Sequence, residues 1–169
     1  NVQVNGLQDS AREVYHLIMT EGGKTFPVTI DGQNSSQNFR YIDFENPQNN
    51  SYHVAVEVPV SGKTQDIRPD IVCYVNGIPF VVIENKKSGT EVKDALNQMI
   101  RNQKPDFSPK FFVYPQLLSG TNVEECLYGT TGTPAKFYAA WKERESDAKV
   151  LDDTIQQLIH MHIEAEAYK

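Results

Sequence analysis

Arg68-Pro69-Asp70-Ile71-Val72-Cys73-Tyr74-Val75-Asn76-Gly77-Ile78-Pro79-Phe80-Val81-Val82-Ile83-Glu84-Asn85-Lys86 is the stretch that decides the fold. Two β-branched, near-continuous apolar runs, Ile71 to Val75 and Phe80 to Ile83, flank Asn76-Gly77, the strongest short hairpin signal. Continuous rather than alternating apolarity predicts strands covered on both faces, at the centre of a sheet. Asp70 opens the first strand and Glu84 ends the second. Lys86, two residues on, projects from the same face as Glu84 if the strand continues. Register decides whether Asp70 joins them. A strict two-residue turn sets Asp70 opposite Ile83, whereas one bulge in either strand sets it opposite Glu84. Asn-Gly followed by Ile78-Pro79 is compatible with a bulge, and the bulge is the expectation.

In that register two carboxylates and a lysine gather at the edge of a buried apolar sheet, where charge is costly without a compensating partner. Two acidic side chains plus a backbone carbonyl suit Mg²⁺, a hard cation that keeps waters and takes one or two carboxylates. Lys86 would then orient or deprotonate an attacking water and offset charge on a phosphoryl group. The spacing alone is loose, and a surface Glu84–Lys86 ion pair with Asp70 merely opening a strand is the commoner explanation of it.

Working outward, Asp9-Ser10 can cap a helix through Met19, which Glu21-Gly22-Gly23 stops. Strands are expected at Thr25 to Ile30, Phe39 to Phe44 and Tyr52 to Val60. In the last, Val54, Val56, Val58 and Val60 alternate with His53, Ala55 and Glu57. After the hairpin, Thr90 to about Gln103 reads as a helix ended by Lys104-Pro105, and Phe111 to Tyr114 as another strand. Pro134 opens a short helix through Trp141, with Phe137, Tyr138 and Trp141 in the core. Ser146 to Tyr168 reads as a last helix with Leu151, Ile155, Leu158, Ile159 and Ile163 on one stripe. Residues 1–145 are thus one α/β domain, a mixed central sheet flanked by helices. Residues 146–169 are a C-terminal helix or linker facing a missing partner or motor domain.

The chain has 169 residues and a net charge of −6, which argues against non-specific coating of nucleic acid. The balance is local, however. Lys86, Lys87, Lys93, Arg101, Lys104 and Lys110 outnumber Glu91, Asp94 and Asp106 between Lys86 and Lys110. Such a zone can meet a phosphate backbone, and a solvated helix face explains it equally well. Cys73 and Cys126 cannot build a disulfide framework and read as free thiols of a cytoplasmic protein. No apolar run is long enough for a membrane helix. Asn1-Val2-Gln3-Val4-Asn5 has neither an initiator Met nor an export signal, so a fragment of a longer polypeptide is expected. Gly62-Lys63-Thr64 lacks the upstream Gly and following helix of a phosphate-binding loop, so ATP binding by this chain is not expected.

The stretch Arg68 to Lys86 closely resembles the nuclease motif of the R subunits of type I restriction endonucleases. Tyr41-Ile42-Asp43-Phe44-Glu45-Asn46-Pro47, Asn97-Gln98-Met99-Ile100-Arg101-Asn102-Gln103-Lys104-Pro105 and Tyr128-Gly129-Thr130-Thr131-Gly132-Thr133-Pro134 resemble further segments of the same subunits, in the same order. The resemblance implies a PD-(D/E)xK restriction-endonuclease-like fold and Mg²⁺-dependent hydrolysis of DNA phosphodiester bonds, with Mn²⁺ able to substitute. Asp70, Glu84 and Lys86 would be catalytic. Asp70, Glu84 and the Asn85 backbone carbonyl would hold the metal, with Glu57 a weak further candidate. Lys87, Gln98, Arg101 and Lys104 would lie along double-stranded DNA. The family resemblance further implies methyltransferase and specificity subunits as partners, and an ATP-dependent motor in the full-length subunit. Two positions depart from the family pattern: Asn85 stands where an apolar residue is usual, and Asn102 stands four places after Gln98 where related nucleases carry Tyr. Two other readings remain: a resolvase or repair nuclease of the same fold, and a non-catalytic module that binds DNA or a partner subunit.

Overall fold

The computed structural model describes residues 6–20 and 23–142. Along the chain come α1 (Leu7–Met19), β1 (Lys24–Ile30), β2 (Gln33–Phe39), β3 (Tyr52–Val56), β4 (Ile71–Val75) and β5 (Ile78–Asn85). They are followed by α2 (Val92–Asn102), β6 (Leu117–Thr121), β7 (Cys126–Gly129) and β8 (Ala139–Ala140). β1 and β2 form a separate hairpin. The other strands make one six-stranded sheet in the order β3-β4-β5-β6-β7-β8. Only β5 and β6 run parallel, and α2 is the crossover that parallel strands require. The fold is α/β with a mixed sheet flanked by helices, consistent with the nuclease-like fold that the resemblance implies.

The central hairpin is as expected. Asn76 and Gly77 both have positive φ (51° and 80°), the signature of a tight two-residue turn, and Val75 pairs with Ile78. The register then shifts between Cys73 and Tyr74. Tyr74 pairs with Pro79 but Cys73 pairs with Val81, which leaves Phe80 as the extra residue on β5. Pro79 brings no N–H to the ladder there, and the Phe80 carbonyl instead accepts from the Gln116 N–H at the start of β6 (2.8 Å). Beyond the bulge Ile71 faces Ile83, so the next position places Asp70 opposite Glu84.

α2 forms because Val92, Ala95, Leu96 and Met99 recur on one side and are buried, while Lys93, Asp94, Asn97 and Arg101 face water. That side lies on the sheet face made by Val72, Val82 and Leu118, each 0% exposed, with Phe112 closing the core. The approach is close at Gly120. A Cβ there would stand 2.7 Å from Leu96 Cδ2 and 3.2 Å from Ala95 Cβ, so the bare backbone at position 120 lets Leu96 and Ala95 pack directly on β6.

Several expectations are corrected. Tyr41 to Phe44 is not a strand. Asp43 accepts from the Glu45 and Asn46 N–H groups and from Asn49 Nδ2, and these bonds curl the chain into a loop. β2 lies earlier, in the polar run Gln33–Phe39, paired to β1. The valine alternation breaks at Glu57, whose φ is 50°. Val58 and Val60 turn inward to the core, while Val54 and Val56 are each 69% exposed. Phe111–Val113 is a 3₁₀ turn, and the strand is Leu117–Thr121. Ala135–Phe137 is likewise a 3₁₀ turn leading into β8. Tyr138 is buried, but Phe137 and Trp141 are not core residues, being 66% and 52% exposed. The helix expected at 146–168 lies outside the described residues.

The loop after β2 locks the hairpin turn. Asn76 Oδ1 accepts from the Ser51 N–H (2.7 Å), and Asn76 Nδ2 donates to the Tyr41 carbonyl and to Asn50 Oδ1 (2.8 Å each). Asn76→Ala removes all three bonds and puts a Cβ-bearing residue without a local partner into the left-handed region, an expected loss of about 2–3 kcal/mol. Urea unfolding of the variant against the parent checks it.

Candidate active site

Asp70 precedes β4 and Glu84 is the penultimate residue of β5, so the bulge brings both to one end of the two central strands. Asp70 Oδ2 accepts from the Asn85 N–H (2.7 Å), which fixes the Asp70 carboxyl against the end of β5. Glu84 is 1% exposed and lies within hydrogen-bond reach of Asp70. Burial raises its pKa to about 7, and the neighbouring Asp70 charge adds to the shift. Lys86 and the Gln98 hydrogen bond act the other way.

Gln98 joins the group from α2. Its Nε2 donates to Glu84 Oε2 (2.6 Å), and its Oε1 accepts from Lys86 Nζ (2.7 Å). An amide can do both at once because it carries a donor and an acceptor on one carbon. Asp70, Glu84, Gln98 and Lys86 thus form one continuous chain of polar contacts. Sequence reasoning placed Gln98 on the DNA-facing side of the helix. The structure places it between the acid and the lysine.

The remaining candidates are placed as follows. Asn85 is exposed, its N–H engaged by Asp70. Glu57 lies across from Asp70 in the backbone ladder, its N–H donating to the Asp70 carbonyl (2.8 Å), but its carboxylate accepts from Arg68 Nη2 (2.7 Å). Among the described residues no three His, Cys, Asp or Glu side chains converge as a metal cage. Lys87 and Lys104 are exposed. Arg101 sits over the Phe107 ring (5.2 Å to its centre) and donates to Asn102 Oδ1 (3.2 Å). Asn102, standing where related nucleases carry Tyr, is 1% exposed, so its environment is the core rather than a ligand surface. Gly62-Lys63-Thr64 is a loop tied to Asp106 and Phe107. That tie brings the backbone of Lys63, a cation the sequence did not single out, against the residue that carries Arg101. Gln103, also buried, accepts from the Gly132 N–H (2.8 Å) and thereby holds the Tyr128–Pro134 loop to the end of α2. Cys73 and Cys126 are both free thiols. No helix among the described residues is long and apolar enough to cross a membrane.

Two carboxyl groups in contact at the end of a mixed sheet, with a lysine held beside them by an amide, have the donor chemistry of a hard-cation site that also carries a positive charge. Residues 1–137 match the family described as type I restriction enzyme R protein N terminus, and the chain belongs to that family. It is 32% identical over 145 residues to a Methanocaldococcus jannaschii protein whose name assigns it to the endonuclease subunit of type I restriction enzyme MjaIXP. That alignment covers 82% of this chain and 13% of the relative. It is 25% identical over 156 residues to the type I restriction enzyme HindI endonuclease subunit of Haemophilus influenzae, covering 88% of this chain and 14% of that protein. It is 31% identical over 114 residues to the Escherichia coli EcoprrI endonuclease subunit, covering 66% and 33%. The chain therefore spans a third or less of the length of these relatives.

The raised Glu84 pKa has a stability consequence with a definite sign. Between its unfolded value of 4.5 and its folded value of about 7 the folded state holds the proton more tightly. Stability contributed by this group is therefore full below pH 4.5 and is lost as pH rises to 7, by about 2–3 kcal/mol. Thermal melts in chelator are expected to show Tm falling from pH 5 to pH 7.5. In Glu84→Gln that fall should be much reduced, the amide having no proton to lose.

Proposed function

We propose that this chain is the nuclease part of a type I restriction R subunit and hydrolyses DNA phosphodiester bonds with Mg²⁺ as cofactor. The observation that carries the reading is the continuous contact chain Asp70–Glu84–Gln98–Lys86 at the end of β4 and β5. The carboxyl pair fits a divalent cation because two acids this close cannot both ionise without a proton or a cation between them. Asp70, Glu84 and the Asn85 carbonyl would hold the metal, with Glu57 available only if it leaves Arg68. When bound, the metal supplies Lewis acidity at the phosphoryl group and an acidified water. The chain's own part is positional. Gln98 fixes the Glu84 carboxyl and the Lys86 ammonium at once. Lys86 keeps two further N–H donors with which to orient the attacking water and offset charge on the phosphate. Lys87, Arg101 and Lys104 would lie along the DNA backbone, with Lys63 beside them. The names of the relatives support a setting in a type I restriction enzyme; subunits that methylate and specify the site, and ATP use elsewhere in the R polypeptide, are what the family resemblance implies.

Calorimetric titration with Mn²⁺ tests the metal site. Wild type should bind and Glu84→Gln should not, and binding to wild type should be about tenfold tighter at pH 8 than at pH 6, since the metal displaces a proton whose pKa is about 7. Absence of binding by wild type, with or without DNA, would favour the non-catalytic binding module. Asp70→Ala should abolish plasmid nicking by the polypeptide that carries this chain while leaving its circular dichroism unchanged. For DNA contact, Arg101→Ala with Lys104→Ala should weaken binding uniformly across sequences and reduce the salt slope by about two. An unchanged slope would remove α2 from the DNA interface.

A further inference from the structure

Asp70 stands where a pair of strands exchanges its inner and outer faces. Between β3 and β4, Val72 is buried under α2, while Val54 and Val56, which pair with its neighbours Cys73 and Ile71, are each 69% exposed. Past Asp70 the order reverses. Val58 and Val60 pack on the core, and the residues across from them, Pro69 and Ile67, are buried. The backbone ladder runs through this reversal without losing count. The Glu57 N–H donates to the Asp70 carbonyl (2.8 Å), the Val58 N–H donates to the Pro69 carbonyl (3.2 Å), and Val60 and Ile67 exchange both bonds (2.9 and 3.0 Å). Side chains of a regular strand alternate with a period of two, so the reversal needs a residue outside the extended region. That residue is Glu57, whose φ is 50°. A non-glycine residue keeps such a backbone only where its surroundings hold it.

Arg68 does the holding. Its Nε donates to the Glu57 carbonyl (3.2 Å) and its Nη2 to Glu57 Oε2 (2.7 Å), so one planar guanidinium grips the backbone and the side chain of the same residue. Pro69 fixes its own φ and restricts Arg68 to extended backbone. Lying between two buried residues, Arg68 turns to solvent and meets Glu57 there. Both side chains of the pair are exposed, so it contributes little as an ion pair, and its effect is geometric. Asp70 is thereby fixed at two points: its carbonyl by the Glu57 N–H, and its Oδ2 by the Asn85 N–H (2.7 Å). We propose that Arg68 is a positioning residue for the Asp70 carboxyl, acting through Glu57, and that the Glu57 carboxylate serves Arg68 rather than a metal. The consequence for metal binding rests on the nuclease reading; the placement of Asp70 does not.

The Asn85 amide reports on that placement directly, because Asp70 Oδ2 is its acceptor. In the isotope-labelled full-length chain, Arg68→Gln should speed hydrogen exchange at Asn85 by about tenfold or more, with the amides of β6 and β7 changing less than about twofold. Glu57→Gln keeps both acceptor oxygens and should leave Asn85 as in the parent. Glu57→Gly takes the left-handed backbone freely, so its thermal melt should match the parent, while Asn85 exchanges about threefold faster or more. In Mn²⁺ titrations of the same variants, Arg68→Gln should weaken binding about tenfold and Glu57→Gln should not. Unchanged exchange at Asn85 in Arg68→Gln, or an equal rise at every amide, would overturn the proposal whatever the metal does. Loss of Mn²⁺ binding in Glu57→Gln with Asn85 exchange unchanged would overturn it in favour of Glu57 as a metal ligand. A parent chain that binds no Mn²⁺ counts against the nuclease reading, and the Asn85 exchange rates still decide the role of Arg68.

Discussion

Between the Asn76-Gly77 turn and the two carboxylates, β5 has one residue more than β4, and that residue is Phe80. Without it, a strict two-residue turn would set Asp70 against Ile83 and point Glu84 to the other side of the sheet, away from Gln98. The side-chain period of a strand is two, so a single bulge is the smallest change that moves an entire strand end from one face to the other. Everything near the bulge serves to hold it. Pro79 has no N–H to offer the ladder, Gln116 takes up the Phe80 carbonyl, and Asn76 ties the turn to the loop at Tyr41 to Ser51. The Ile-Asp-Phe segment thus acts at the far end of the hairpin from the carboxylates. Its contribution to them is register.

The site itself is a buried acid that the fold tolerates at a cost. Glu84 is almost fully enclosed and stands beside a second carboxyl, and nothing in the contact chain neutralises the pair completely. Gln98 is the residue that makes the arrangement possible. A purely apolar side chain there would take the hydrogen-bond partner from Lys86 and leave Glu84 only the Asp70 carboxyl, whereas an amide serves each with one end. Its reach depends on how closely α2 lies to the sheet, and Gly120, which pairs with Glu84 between β5 and β6, leaves room there for Leu96 and Ala95. A local economy of bulk at position 120 is therefore part of how the acid at position 84 is held.

Much of this was legible in the sequence because it rests on period-two geometry. The hairpin follows from apolar runs around Asn-Gly; the bulge was one of two registers open to it, compatible with Ile78-Pro79, and the shared end of Asp70 and Glu84 rests on that bulge. The position of Gln98 was not legible as a bridge, since it depends on a helix-to-sheet distance that spacing does not encode. Other misreadings have equally specific causes. Gln33–Phe39 pairs through backbone in a polar run with almost no apolar signal, and Phe111–Val113 is apolar because it closes the core as a 3₁₀ turn rather than as a strand. The valine alternation from Val54 to Val60 predicts one face, but the left-handed backbone at Glu57 divides it into an outward and an inward half. Trp141 reads as core by composition and lies at a sheet edge because β8 is only two residues long.

Charge distribution bears on what such a chain can do unaided. The net charge is −6, while among the described residues the cations near the site are Lys86, Lys87 and those at the end of α2 with Lys63, and Arg68 is occupied by Glu57. An acidic body repels a polyanion at long range, and a few local cations act only within about a Debye length, roughly 8 Å at physiological salt. On the nuclease reading, the chain would contribute the chemistry of cleavage and little of the affinity for DNA. That division fits the relatives, two thirds or more of whose length lies outside the part this chain matches. On the same reading the raised Glu84 pKa has a use: with the proton in place the carboxyl pair carries one charge fewer toward an approaching phosphate, and the second charge would develop as a cation arrives to balance it.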